Sequence, residues 1–68
     1  MDFRLKSEFI ELDNLLKVLE LAANGPEARE IILSGAIKVN EQIETRIRRK
    51  LRWGDTVEFR QQRISITK

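Results

Sequence analysis

Apolar and polar residues alternate at the start of the chain and then change their spacing, and each change marks an element. Phe3-Arg4-Leu5-Lys6 has the period-two pattern of a half-buried strand, and Phe9 and Ile10 read as its continuation. From Leu12 the period becomes helical. Leu12, Leu15, Leu16, Leu19 and Ala23 fall on one stripe, with Asp13, Lys17 and Glu20 off it. Asn24-Gly25 is expected to stop this helix, because glycine tolerates the left-handed conformation that ends helices. Pro26 then suits a first helical position, where its missing N–H would be unpaired anyway. Glu27 in the first turn complements the helix dipole. Ala28, Ile31 and Ile32 give a second, short helix its apolar stripe, and Gly35 closes it. The tight join makes the helices a helix-turn-helix-like pair.

Beyond Gly35 the period returns to two. Ala36-Ile37-Lys38-Val39 precedes a turn at Asn40-Glu41 and then Ile43, and Arg46 to Trp53 is a further extended segment. Gly54-Asp55 signals a turn, Thr56-Val57-Glu58-Phe59 alternates, and Gln61-Gln62 is expected to turn the chain into Ile64-Ser65-Ile66-Thr67. The pattern predicts an α+β fold: two short packed helices followed by a small, mostly antiparallel sheet of short strands. No linker or repeat divides residues 1–68, so a single domain is expected.

Composition narrows the chemistry. With no cysteine and no histidine there is neither a disulfide framework nor the commonest general base and metal ligand. Ser7, Ser34 and Ser65 have no histidine to activate them, and no glycine-rich phosphate loop or metal-ligand spacing is present. No enzyme, catalytic residue, metal, cofactor or small-molecule substrate is expected. No apolar run approaches the roughly 20 residues of a membrane span, and no export signal is seen. A cytoplasmic location is therefore expected, and nothing in the sequence demands more than a monomer.

The net charge of +2 conceals an asymmetry. Residues 1–35 carry four basic and seven acidic side chains, a balance of −3, and residues 36–68 carry nine and four, a balance of +5. Arg46-Ile47-Arg48-Arg49-Lys50-Leu51-Arg52 holds five basic residues in seven positions. On an extended strand Arg46, Arg48, Lys50 and Arg52 share one face, successive ones roughly 7 Å apart. Ile47, Leu51 and Trp53 then turn to the core, and Arg49 lies on their side. Four like charges in line gain nothing from packing and suit a polyanion, because arginine's planar fork matches phosphate oxygens. The competing reading is a solvated edge strand whose charges discourage sheet-to-sheet association. The alternation makes Trp53 a core residue rather than a stacking platform for a base.

The order of these features resembles the RNA-binding domain named after the fourth protein of the small ribosomal subunit, the carrier of the alpha-L RNA-binding motif. The residues that carry the resemblance are Leu12-Asp13, Leu15-Leu16, Ala28-Arg29, Ile31-Ile32, Gly35-Ala36-Ile37-Lys38-Val39-Asn40 and Gly54-Asp55-Thr56-Val57. They run from about Glu11 to Phe59. The Glu44-Thr45-Arg46 stretch with Arg48 and Lys50 looks most like short, stand-alone bacterial members. Two departures stand out: Asn24-Gly25 occupies the place of a Ser-Arg pair that many members set before the second helix, and Asn40-Glu41 the place of Asn-Gly.

The resemblance implies structured RNA, ribosomal RNA among the choices, as the partner, with Arg29, Lys38, Arg46, Arg48 and Lys50 facing it. Arg49 and Arg52 join this set on charge alone. The rival reading is a protein-interaction module that docks an acidic partner. DNA binding is weaker, because Glu27 and Glu30 stand on the second helix where a groove-reading helix should be basic.

Overall fold

The computed structural model describes residues 1–68. The first strand, β1 (Asp2–Arg4), does not pair with its neighbours in sequence. It runs parallel to the last strand, β7 (Gln62–Thr67), with Phe3 opposite Ile66. The strand expected to continue to Lys6 stops at Arg4, although the Leu5 N–H still donates to the Thr67 carbonyl at 2.8 Å. Ile10 belongs instead to a separate strand, β2 (Ile10–Glu11), which pairs antiparallel with β5 (Lys50–Leu51) in a small sheet of its own.

The leucine stripe forms α1 (Leu12–Val18), with Leu12, Leu15 and Leu16 fully buried. The helix ends earlier than the stripe. Glu20 takes a left-handed φ of 60°, and the N–H groups of both Leu21 and Ala22 return to the Leu16 carbonyl. Asn24-Gly25 is therefore not a stop but a start. The Asn24 side chain accepts the Glu27 N–H at 2.8 Å, while Glu27 Oε1 accepts the Ala23 N–H at 3.2 Å. This reciprocal arrangement is a capping box moved back by one residue. It opens α2 (Gly25–Leu33), whose Ala28 and Ile32 are fully buried against α1. Gly35, with φ +81°, ends the helical stretch as expected.

The remaining strands, β3 (Lys38–Val39), β4 (Gln42–Ile43) and β6 (Thr56–Phe59), complete a five-stranded sheet of order β1-β7-β6-β3-β4. Every contact but β1–β7 is antiparallel. Asn40 and Glu41 both have positive φ, the geometry of the tight turns that match the twist of paired strands. The β6–β7 turn falls at Arg60-Gln61, one residue before the expected Gln61-Gln62, so that Gln62 pairs with Phe59. Alternation then sorts the sheet: Val39, Val57, Phe59, Ile64 and Ile66 are buried with the helix stripes in one core of 13 residues. The expected strand from Arg46 to Trp53 shrinks to Lys50–Leu51, and Trp53, expected in the core, is 63% exposed. No helix is long and apolar enough to cross a membrane.

Candidate nucleic-acid interface

The basic segment is built around a carboxylate. Glu44 is the one charged residue that folding buries, and its backbone N–H anchors it to the Ile37 carbonyl at 2.9 Å. Its Oε2 accepts from the Arg46 N–H at 2.9 Å and from Arg46 Nε at 3.0 Å. Its Oε1 accepts from Arg46 Nη2 at 2.9 Å and Arg49 Nη1 at 2.6 Å. Such charge-assisted, forked bonds are the strong ones. The hydrogen bond from the Arg46 side chain, above all, holds the Glu44 carboxyl at about 2, against an ordinary 4.5; burial opposes this, and Arg49 adds to it.

The backbone of the same loop has a second anchorage. Glu11, the residue before α1, offers its first N–H groups no side-chain cap. The carbonyls of Arg49 and Ile47 fill that role, accepting from Leu12 and Asp13 at 2.9 and 3.1 Å. Leu51 is fully buried beneath, and Ile47 packs against the core. With its inner edge committed, the loop presents Arg46, Arg48, Lys50 and Arg52 to solvent. The Phe9 ring lies below two of these, with Lys50 Nζ 4.9 Å and Arg52 Cζ 5.6 Å from its centroid.

A tight turn finishes the surface. The Asp55 N–H donates to the Arg52 carbonyl at 3.0 Å, and Asp55 Oδ2 accepts the Arg52 N–H at 2.8 Å. Gly54, with φ +96°, occupies the position that such a turn reserves for glycine. Asp55 Oδ1 also accepts from Asn40 Nδ2 at 3.0 Å, which ties the turn to the β3–β4 hairpin. The result is an open basin of about 830 Å³ lined by Arg46, Arg48, Arg49, Lys50, Arg52, Trp53 and Asp55. Arg48, Lys50 and Arg52 form no ion pair, so their charge faces the basin uncompensated. The arrangement suits phosphate oxygens spread along a chain rather than one enclosed anion.

The family model of the S4 domain matches residues 3–67. The chain belongs to the S4 domain family. Among solved structures it is similar to YbcJ of E. coli, at 34% identity and a TM-score of 0.73, over 98% of this chain and 86% of that one. The solution structure of YbcJ is described as revealing an alfaL motif involved in RNA-binding. A search of curated proteins gives no match.

In this S4 domain the sequence-derived residues separate into two groups. Arg46, Arg48, Arg49, Lys50 and Arg52 meet in the basin, although not as a straight row on one strand. Residues 46–49 form a turn, closed by the Arg49 N–H on the Arg46 carbonyl at 3.3 Å. Arg46 is also bonded to Glu44 rather than free. Arg29 lies exposed on α2, and Lys38 lies exposed on β3 beside a separate hollow with Glu58 and Arg60; neither lines the basin. Charge counting missed three contributors: Glu44 as organiser, Phe9 beneath two cations, and Trp53 at the surface. The Glu44-x-Arg46 spacing was the available signal for the first. For Trp53 the signal was the Gly54-Asp55 turn, which ends the alternation just before it, and nothing local signalled Phe9.

Proposed function

We propose that this S4 domain binds structured RNA, with ribosomal RNA as the leading candidate, and that the basin is where phosphates dock. The observation that carries the reading is the meeting of five cations in one open surface, three of them without a carboxylate partner. Double-stranded RNA offers phosphates and 2′-hydroxyls more readily than base edges, so a rigid basic surface recognises it by shape and charge. The similarity to YbcJ supports the choice of RNA over other polyanions. On this reading Arg46, Arg48, Arg49, Lys50 and Arg52 make the main contacts. Arg29 and Lys38 serve an RNA long enough to leave the basin. The domain works as a monomer in the cytoplasm, as a binding module and not as an enzyme.

Capture from lysate with and without ribonuclease tests this against an acidic protein partner. The proposal expects a bound set dominated by ribosomal or other structured RNA, lost after digestion. An acidic protein that stays bound after complete digestion, and is released by charge reversal at Arg48, would replace it.

A further inference from the structure

We propose that Trp53 is a stacking platform for an unpaired base, so that the preferred ligand is an RNA helix interrupted by a bulged or flipped nucleotide. This rests on the RNA reading above and deepens it. Trp53 is 63% exposed, although burial of an indole is among the larger apolar gains a small domain can make. Its position is imposed and not accidental. It occupies the second place of the turn that runs from Arg52 to Asp55, where the Arg52 and Asp55 backbones bond to one another. The Gly54 N–H donates to the Ile66 carbonyl at 3.0 Å, which fastens that turn to β7. The backbone that carries the indole is thus fixed in place with the ring exposed, so binding does not have to order the turn.

Its surroundings decide what it receives. Trp53 is the one hydrophobic residue lining a basin whose other members are five cations and Asp55. Lys68 Nζ lies over the ring, 4.3 Å from its centroid, and brings a sixth positive charge to the same place. A protein partner's apolar side chain would bury these cations without neutralising them. A nucleotide satisfies both demands at once, its base covering the ring and its phosphate meeting the cations. Phe9, the other aromatic ring near the basin, is unsuited to the role because it is half-buried and does not line the basin. A base inside a continuous helix cannot reach the indole, so the proposal requires an unpaired one.

Trp53 is the sole tryptophan and the chain has no tyrosine, so its emission reports on this position alone. The experiment titrates the protein with a blunt RNA duplex carrying a single bulged adenine and with the same duplex lacking the bulge. The expected result is quenching by the bulged duplex and tighter binding to it, by roughly 5- to 150-fold for one stacked base. Trp53→Ala should erase the preference, keep the affinity for the uninterrupted duplex and melt by circular dichroism at the parent's temperature. Trp53→Phe should retain part of the preference. Equal binding of both duplexes by the parent, or a preference that survives in Trp53→Ala, overturns the stacking role and leaves the phosphate basin standing. Failure of both duplexes to bind overturns the RNA reading and this inference with it.

Discussion

Leu16 and Ile32 are buried among apolar side chains with no polar demand to meet, whereas Glu44 is buried against two arginines that saturate its carboxylate. The two helices and the inner face of the sheet are held by the first kind of contact. The loop from Glu44 to Asp55 is held by the second, together with backbone bonds from its carbonyls to the start of α1. Apolar packing is indifferent to the direction in which a residue's remaining polar groups point, so it suits a core. Hydrogen bonds are directional, and here they turn arginines outward at fixed places. The difference shows how a 68-residue chain separates the parts that keep it folded from the part that meets a ligand. It also means the two regions should fail differently.

The largest effect is expected in the apolar region. Leu16→Ala and Ile32→Ala, both fully buried, should each cost about 2–5 kcal/mol, which approaches the whole stability of so small a domain. Thermal melts measure it, and a shift of only a degree or two in both variants would contradict the assignment of the core.

Glu44→Gln comes next, because it removes the carboxylate charge that Arg46 and Arg49 share; Arg46 is largely exposed and screened by solvent, so the cost is about 1–2 kcal/mol. Its signature is a dependence on pH that core variants lack. The Glu44 carboxyl lies near 2 when folded, below its ordinary 4.5, so its stabilisation is complete above about 4.5 and is lost as pH falls toward 2. Parent and variant should therefore differ fully at neutral pH and converge in urea titrations as the acid limb is descended. A difference that stays constant from pH 6 to pH 2 would show that the carboxylate's charge does not hold the loop.

A smaller change belongs to neither region. Glu41 holds a φ of 70° in the β3–β4 turn, a conformation that costs a residue with a Cβ and suits glycine. Glu41→Gly should stabilise the protein by about 1 kcal/mol and leave its salt response to RNA much as before. Loss of stability instead would mean that glycine's greater freedom in the unfolded chain outweighs the relieved strain.

The apolar region was the legible one. The leucine stripe as far as Leu16, the Ala28–Ile32 stripe, the turn at Asn40-Glu41 and the alternation of β6 and β7 are local patterns that the structure follows, whereas Leu19 and Ala23 fall beyond the end of α1. The resemblance drawn from their order led to the family that the comparisons show. What misled was also physical. Asn24-Gly25 signals a stop in isolation, but Glu27 makes it an N-cap. The Arg46–Trp53 segment has a strand's alternation, and Arg46, Arg48, Lys50 and Arg52 are indeed exposed while Leu51 is buried. Its backbone groups are nevertheless taken by the start of α1, far off in the sequence, and by the neighbouring Glu44 carboxylate, which accepts the Arg46 N–H. Trp53 escaped the alternation because a turn begins at Arg52 and cancels the period from there. Five of the seven proposed contacts share a basin, while Arg29 and Lys38 sit on other elements, a separation that only the three-dimensional path of the chain could reveal.

The central claim is that the polar-built region meets phosphates, and Arg48 and Lys50 test it best because neither is tied to a carboxylate. Both are exposed, so Arg48→Ala with Lys50→Ala should leave the melting temperature close to the parent's. Arg49→Ala, which removes a bond to Glu44, should disturb stability more and the salt response less. Affinity for a ribosomal RNA fragment, measured across a range of salt, gives a log–log slope set by the counterions released. The account predicts that the double variant flattens this slope by roughly 1.4–1.8 units, from about 0.7–0.9 for each lost phosphate contact. A folded double variant that binds the RNA with the parent's slope would contradict it, and the basic surface would then be solvated or face a protein.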